Sequence, residues 1–552
     1  MIADIHITEK SFGDKTLMKD VKFSVDDGEK VGVVGRNGVG KSTLFGILAG
    51  MDNDYTGEVV FRRGITVATT AQEHHGLGEQ TVMTYILSGL PEYPELKKII
   101  DEYPLTMGDN MRKIEEYTQA LERFDQKGFY QIEEKIEREL SNFQLDGFGN
   151  RKISSLSGGQ KRLVEIVKIM HSEAHLALID EPTNHMDYVA KQQFIDWMNS
   201  QPHQAMLIIT HDRDVLGQVD RIVEIKDGQA VSYRGNYDAY LKQNAQATTA
   251  GMNNFEQIEK RIVNLKQKVL DYQRLKEKSR NPGTIQKFKR LENEARAELA
   301  ELSEMEKPTF WIDKESASQL DYKSAERYGK FKSRNIRLSM KDASSRSQHV
   351  LVRAENVAVG IGERILFEDV NIDLREGEAI EIRGRNGAGK TTLIRMILAS
   401  GKSFDGGPVL YSGDIFLDPQ VRIGVYEQEI DERYLSDPLE KAIEKLYMSR
   451  DLSISDTKIR QLLADYLFTD ADRMTPLARL SGGQKARFQI IAMLANDPQL
   501  LILDEPTNHL DLPSIEELET ALVKYSGAIL YVSHDNYFRE KLDGKVVQIG
   551  AE

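Results

Sequence analysis

Short, unbroken runs of apolar residues recur along this chain, and between them lie stretches whose apolar positions return every three or four residues. Met206–Thr210 and Ala528–Ser533 are runs of the first kind, as are LALID ending at Asp180 and LLILD ending at Asp504, and Glu29–Val34 and Ala379–Ile382 read as further short strands that carry charge at Glu29, Lys30 and Glu381. Such continuous hydrophobicity marks strands buried on both faces of a parallel sheet, whose C-terminal ends face the ligand. Lys41–Ala49 has helical spacing. Phe255, Ile258, Ile262, Leu265, Val269 and Tyr272 alternate by three and four, the seam of a coiled coil. Asn281-Pro-Gly283 breaks the pattern, and Ile285, Phe288, Leu291, Ala295, Leu299 and Leu302 carry it back. An antiparallel helical hairpin is expected, reaching on the order of 35 Å at 1.5 Å per residue. Ile114, Tyr117, Leu121 and Phe124, then Ile132, Ile136 and Leu140, predict two more amphipathic helices around Gly128.

The strand-like runs come in two sets because the chain repeats itself. GRNGVGKST at Gly35–Thr43 returns as GRNGAGKTT at Gly384–Thr392, LSGGQ at Leu156–Gln160 returns at Leu480–Gln484, and IDEPTNHMD at Ile179–Asp187 returns as LDEPTNHLD at Leu503–Asp511. The spacing is duplicated too: Ser157 precedes Glu181, and Ser481 precedes Glu505, by 24 residues. Repeats of solenoids and propellers are about 20 to 50 residues long, so a period of roughly 350 means duplicated domains. The fold class expected is α/β: two phosphate-loop domains in tandem, 1–244 and 346–552, joined by an α-helical hairpin linker at 245–345. Gln72 to Ser157 spans 85 residues but Gln428 to Ser481 only 53, so the first domain carries a helical insertion, placed at about 95–140. The second half closes on the strand-like KVVQIG shortly before Glu552, and no further domain is expected after it.

Charge singles out one part of the linker. The whole protein carries a formal net charge of −14, which argues against a surface that coats nucleic acid uniformly. Between Lys266 and Arg290, however, nine basic residues stand against two acidic ones, while the returning helix base is acidic. Lys276, Lys278, Arg280, Lys287, Lys289 and Arg290 are therefore candidates for contact with RNA phosphates; a solvated charged face is the alternative. There is no cysteine, which excludes thiolate zinc, iron–sulfur clusters, disulfides and thiol nucleophiles. No stretch approaches the roughly 18 uninterrupted apolar residues of a membrane span, and MIADIHITEK lacks the features of a secretory signal, so a cytoplasmic location is expected.

The repeated motifs carry phosphate chemistry. In the first loop Gly35, Asn37, Gly38 and Gly40 let backbone N–H groups turn toward phosphate oxygens, Lys41 reaches the β/γ-phosphates, and Ser42 and Thr43 open a helix whose N-terminus favours anions. Gly384, Asn386, Gly387, Gly389, Lys390, Thr391 and Thr392 repeat the arrangement. Ser42 and Thr391 are candidate Mg²⁺ ligands, with Asp180 and Asp504 holding the ion through its water shell. Glu181 and Glu505 are placed to polarise an attacking water, and His211 and His534, each at a strand end, to sense a γ-phosphate. Gln72 and Gln428 suit Mg²⁺ and water contacts. Ser157, Gly158, Gly159 and Gln160, with Ser481, Gly482, Gly483 and Gln484, form a second phosphate receptor in each half. Each half already owns one phosphate loop, so this receptor makes sense only if it meets ATP held by another domain.

These motifs resemble the ATP-binding cassette superfamily and, over nearly the whole chain, its ABC-F branch; YRGNYDAY at Tyr233–Tyr240 and the EPTNHMD and EPTNHLD segments add to the likeness. The resemblance implies a Mg²⁺-dependent ATPase whose cassettes form a head-to-tail sandwich around two ATP molecules within one monomer. One ATP would lie between Lys41, Ser42, Gln72, Glu181 and His211 and the facing Ser481 and Gly483. The other would lie between Lys390, Thr391, Gln428, Glu505 and His534 and the facing Ser157 and Gly159. Family members stack adenine on an aromatic residue, which Phe12 fits; the matching position in the second half is Ile361. The linker resembles the branch's tRNA-facing interdomain motif, implying a ribosomal partner, with large-subunit rRNA and tRNA contacts near the peptidyl-transferase region, in translation or in antibiotic protection. The insertion resembles the branch's arm, although an ordinary helical insertion fits the pattern equally. The other reading is the fused ATPase subunit of a transporter.

Overall fold

The computed structural model describes residues 1–550 apart from 14, 71–78, 107, 109, 304, 306, 319, 321, 339–348, 403–406 and 428–429. The chain forms two compact units: Met1–Tyr237 with Ile336–Glu552, and Asp238–Asn335. The first unit contains both repeated halves.

In the first half a six-stranded sheet runs in the order Val67–Thr69, Leu176–Asp180, Ala205–Ile209, Lys30–Val34, Arg221–Lys226 and Gln229–Arg234. Its pairs are parallel up to the last, antiparallel one. The central strands are buried along their whole length, which is why Leu176–Asp180 and Ala205–Ile209 read as apolar runs. Ile209 pairs with both Val33 and Asp180, so the C-terminal ends of three strands meet at one edge. The phosphate loop, Glu181 and His211 leave from that edge. The second half repeats the layout with Ile423–Tyr426, Leu500–Asp504, Ala528–Val532, Ala379–Arg383 and Lys545–Gln548. Glu381, in the middle of its strand and 3% exposed, stands where the first half has Gly32. Its buried carboxylate accepts two bonds from Arg383 and faces Arg539 at 2.9 Å, the pairing such a burial requires.

Each half adds a three-stranded antiparallel sheet, Lys15–Val25, Ala3–Phe12 and Thr56–Phe61 in one, Arg364–Arg375, Val350–Ile361 and Pro408–Leu417 in the other. Phe12 pairs with Lys15 and Ile361 with Arg364, so both occupy the same hairpin tip. A helical layer follows. Helix Ile132–Asn142 has a counterpart in Asp456–Asp465, each followed by a residue of positive φ, Gln144 and Leu467. The stretch without a counterpart is therefore the helix pair Tyr93–Thr106 and Met111–Gln126, shorter at its C-terminal end than the 95–140 read from spacing. Tyr103 ties the pair by donating to Glu116 at 3.0 Å, and Phe124 and Phe129 pack on Tyr93 to root it.

The second unit holds the expected hairpin. Its helices are Tyr237–Lys278 and Pro282–Ser303, and Asn281 begins the return by accepting the Gly283 N–H. Leu265, Val269 and Ala295 form its buried seam, flanked by Tyr272, Leu299 and Leu302. Beyond the hairpin, Ile312, Tyr328 and Phe331 cluster with Met252 at the base of the long helix. Gly251 makes that approach possible, because a Cβ there would lie 2.6 Å from the Phe310 ring.

Candidate functional site

Both phosphate loops hold their lysine against the loop itself. The Lys41 ammonium donates to the carbonyls of Gly35 and Arg36 at 2.7 and 3.2 Å, and Lys390 does the same with Gly384 and Arg385 at 2.9 and 3.0 Å. Burial pulls both amines below the usual lysine range, against the opposing pull of Glu181 on Lys41 and Glu505 on Lys390. Ser42 donates to Asp180 at 3.0 Å and Thr391 to Asp504 at 2.8 Å, so the hydroxyl and carboxylate assigned to Mg²⁺ are adjacent in each half. The other oxygen of Asp504 is buried without a hydrogen-bond partner among the described residues, and burial raises this carboxyl to about 6. A hydroxyl beside an unsatisfied carboxylate oxygen is a hard-oxygen donor set that fits Mg²⁺.

Glu181 and Glu505 stand one residue past their strands in the left-handed region, at φ 47° and 52°, held by N–H bonds to Ile209 and Val532. This backbone is uncommon for residues other than glycine, and its recurrence at the same place in both halves is local strain of the kind that functional sites hold. His211 lies 3.6 Å from the Glu181 carboxylate and His534 3.3 Å from that of Glu505. Both nitrogens of His211, Nε2 of His534 and Oε1 of Glu505 are buried with no hydrogen-bond partner among the described residues. Four such atoms at two matched places fit a polar ligand. Burial lowers His211 and His534 to about 3, with Lys41 and Lys390 adding to it, and raises Glu181 to about 8. Glu505 is raised for the same reason.

Two cavities contain these groups, and each is built by both halves. The first, of about 690 Å³, is lined by Lys41, Ser42, Thr43, Glu181 and His211 from one side and by Ser481, Gly482 and Gly483 from the other. The second, of about 530 Å³, joins Lys390, Thr391, Thr392, Glu505 and His534 to Ser157, Gly159 and Gln160. Gly158 lines the first cavity rather than the second. A Cβ on Gly483 would fall 2.0 Å from the Asn37 side chain, so a larger residue there would displace Asn37 where the halves touch. Ser157 and Ser481 cap their helices: each hydroxyl accepts from the N–H of Gln160 or Gln484, whose side chain returns the bond. The hydroxyl proton is thereby left to donate into the cavity. Phe12 is 54% exposed and does not line the first cavity, where Leu17 stands; Ile361 and Leu366 line the second. The Lys10 ammonium sits 4.7 Å over the Phe12 ring. Gln72 and Gln428 lie outside the described residues.

Several site residues escaped the sequence reading. Asp187 accepts the N–H of Asn386 at 3.1 Å and Asp511 that of Asn37 at 3.2 Å, so each carboxylate grips the other half's phosphate loop. Against the cost of burial, the N–H bonds of Ala190 and Asn386 hold Asp187 below the usual carboxylate range, and the Ser514 side chain, with His211 and Arg36 nearby, does the same for Asp511. Their signal was the last residue of the repeated EPTNH-containing segments. Arg162 lines the first cavity where the second half has Ala486, and the capping boxes were legible in the S-x-x-Q of LSGGQ.

The candidate RNA contacts divide. Lys276 donates to the buried Glu292 at 2.7 Å, a bond within the hairpin that spends its charge there, and Arg290 lies 3.4 Å from Glu294. Lys278, Arg280, Lys287 and Lys289 have no ion pair among the described residues, so the unspent charge lies at the turn.

The family model described as ABC transporter matches residues 18–184 and 367–508. The chain is similar to ABC transporter F family member 2 of Arabidopsis thaliana, 29% identical over 98% of this chain and 75% of that protein. It is similar to the ribosome protection protein VmlR of Bacillus subtilis, 28% identical over 96% and 83%. It also resembles the energy-dependent translational throttle protein EttA of Mycobacterium tuberculosis, 27% identical over 96% and 88%. A solved structure, RNase-L Inhibitor, aligns with 99% of this chain and 88% of its own at a TM-score of 0.58 and 18% identity, a likeness of fold. No described helix is long and apolar enough to cross a membrane.

Proposed function

The chain belongs to the ATP-binding cassette family, in its tandem-cassette F branch, and from that membership we propose that it hydrolyses two ATP molecules between its cassettes and acts on the ribosome through its hairpin linker. The observation that carries hydrolysis is the pairing in each cavity of one cassette's lysine, glutamate and histidine with the other cassette's signature serine. Lys41 and Lys390 exchange their loop carbonyls for β/γ-phosphate oxygens, and the signature hydroxyls of Ser481 and Ser157 donate to the γ-phosphate from the opposite side. Glu181 and Glu505, whose enclosure raises their affinity for a proton toward the operating pH, orient the attacking water and draw on its proton. Neutral His211 and His534 sit beside them to contact the γ-phosphate. Ser42, Asp180, Thr391 and Asp504 would hold Mg²⁺, which supplies charge neutralisation between the phosphates.

The ribosomal part of the proposal is supported by relatives named for ribosome protection and translational throttling and by the unpaired basic turn of the hairpin. Contacts with large-subunit rRNA or tRNA near the peptidyl-transferase region follow from the same resemblance, as does the role of translation or antibiotic-protection factor. The family model's own description supports the second reading, a fused ATPase subunit of a transporter. Purified protein is expected to release phosphate from ATP, and Lys41→Ala with Lys390→Ala to abolish that release without loss of circular dichroism. In lysate with a non-hydrolysable ATP analogue it is expected to sediment with ribosomes; sedimentation with membranes instead would favour the transporter reading.

A further inference from the structure

A narrower cavity of about 40 Å³ shares Glu181 and His211 with the first nucleotide cavity and Glu505 and His534 with the second. Lys191 and Ile515 face each other's cassettes there, and they are counterparts, each four residues past the aspartate that ends its EPTNH segment. Lys191 is 4% exposed; its ammonium donates to Asp214 at 2.5 Å and to the His534 carbonyl of the other cassette at 2.9 Å, and forms an ion pair with Asp212 at 3.4 Å. Asp212 and Asp214 are the first and third residues after His211. Asp214 also accepts from Asn536, two residues past His534, at 2.8 Å. The His534 N–H in turn donates to the Glu505 carboxylate at 3.1 Å. A continuous path of hydrogen bonds thus runs from the glutamate of the second site, through His534 and Lys191, to the loop behind His211. Burial alone would favour the neutral amine, but Asp212 and Asp214 outweigh it and keep Lys191 charged.

Among the described residues no equivalent path runs the other way. Ile515 is apolar and 2% exposed, and so cannot hold the His211 carbonyl. The neighbouring contacts share this one-sidedness: buried Arg213 pairs with Glu519 of the other cassette at 2.8 Å, whereas their counterparts, Asn536 and Ile195, are uncharged.

We propose that Lys191 is a positioning residue for hydrolysis at the second site, fixing His534 and Glu505 against the first cassette's switch loop and so making the two sites unequal in turnover. The proposal rests on the ATPase reading above and adds to it which site each cassette controls. Its consequence is directional: the His534 carbonyl of the second site's switch is held across the interface by an ammonium, whereas the first site's switch loop reaches the other cassette through Arg213 and Glu519, with no such hold on the His211 carbonyl among the described residues.

The test separates the sites. With Glu181→Gln only the second site turns over, and with Glu505→Gln only the first. Lys191→Met is expected to lower kcat by about tenfold in the Glu181→Gln protein, with KM for ATP changed by less than about twofold, and to leave the Glu505→Gln protein within about twofold. Lys191→Arg should restore most of the loss. Because Lys191→Met leaves two buried carboxylates without their cation, the same comparison is made with Lys191→Met/Asp214→Asn, whose fold is checked by thermal melting. Equal losses in both backgrounds, or none in either, would overturn the assignment and leave Lys191 an interface residue only. If the unaltered protein releases no phosphate from ATP, hydrolysis itself is overturned and this proposal with it; if it does but neither single-glutamine protein turns over, the sites do not act separately and the assignment of Lys191 to one of them is overturned.

Discussion

Glu181 and His211 sit 3.6 Å apart in one enclosure, and their proton affinities are moved in opposite directions by the same cause. Burial raises the glutamate to about 8 and lowers the histidine to about 3. For Glu181, whose folded value exceeds its unfolded one, the native state binds more protons between the two, so stability falls as pH rises through that window. For His211 the unfolded state binds more protons below its ordinary value, so stability falls as pH drops from about 6.5. Between about 6.5 and 8 only the glutamate contributes. Glu181→Gln is therefore expected to raise the melting temperature of the nucleotide-free protein, and by more at pH 8 than at pH 6.5. A melting temperature lowered equally at both would show that the carboxylate is not held against its preference. The phosphate-loop, acidic and signature residues were legible because their chemistry depends on local spacing, such as a lysine six residues after a glycine. Asp187, Asp511 and Lys191 were not singled out, because their roles arise from the opposite cassette and no spacing along one half encodes it. The absence of Phe12 from its cavity lining has the same origin: a hairpin tip carries no periodic signal for where its side chain points.

At the scale of elements, the hairpin shows how far periodicity reaches. The 3–4 alternation gave both helices and the Asn281–Pro282 break, because a coiled-coil seam repeats along the sequence. The cluster of Ile312, Tyr328 and Phe331 on Met252 has no such repeat; a few apolar residues scattered through a charged segment find one another only in three dimensions. Gly251 within the long helix was the local clue to that packing. Gly251→Val should force the Phe310 ring out of its place, at about 1–3 kcal/mol for overpacking. The expected sign is faster amide exchange at Phe310 and Ser333, whose N–H groups bond Phe331 and Phe310, with the Leu265–Ala295 seam unchanged. Charge on the same hairpin leads to another prediction. Lys278, Arg280, Lys287 and Lys289 changed to glutamate should weaken ribosome co-sedimentation and flatten its salt dependence while sparing basal ATPase activity, since a turn that neutralises fewer phosphates displaces fewer counterions on binding. Lys276→Glu alone should instead destabilise the hairpin, because it would face Glu292 across the seam. Unchanged sedimentation of the fourfold variant would mean that the turn is a solvated face.

Across the whole molecule, the duplication visible in the sequence becomes two composite sites, and this arrangement ties chemistry to conformation. Neither cavity exists in one cassette alone, since Ser481 and Gly483 complete the first and Ser157 and Gly159 the second. A ligand shifts an equilibrium only by its difference in affinity for the two states. The signature contacts to a γ-phosphate are available only when the cassettes face each other, so ATP favours that state and loss of the γ-phosphate removes the preference. Glu181→Gln with Glu505→Gln keeps side-chain size but removes the carboxyl group that orients the attacking water and takes up its proton. ATP is then expected to bind and remain uncleaved, holding the cassettes together and the linker in one state. The double variant should accumulate on ribosomes in the presence of ATP and inhibit translation in a cell-free reaction, whereas the unaltered protein cycles off. Adding Ser157→Ala and Ser481→Ala to it should reverse part of that accumulation, because each removes a hydroxyl that reaches the γ-phosphate only in the facing state. If the double variant retains ATP but is not enriched on ribosomes, closure and ribosome binding are not coupled, and the transporter-subunit reading gains the ground that the ribosomal one loses.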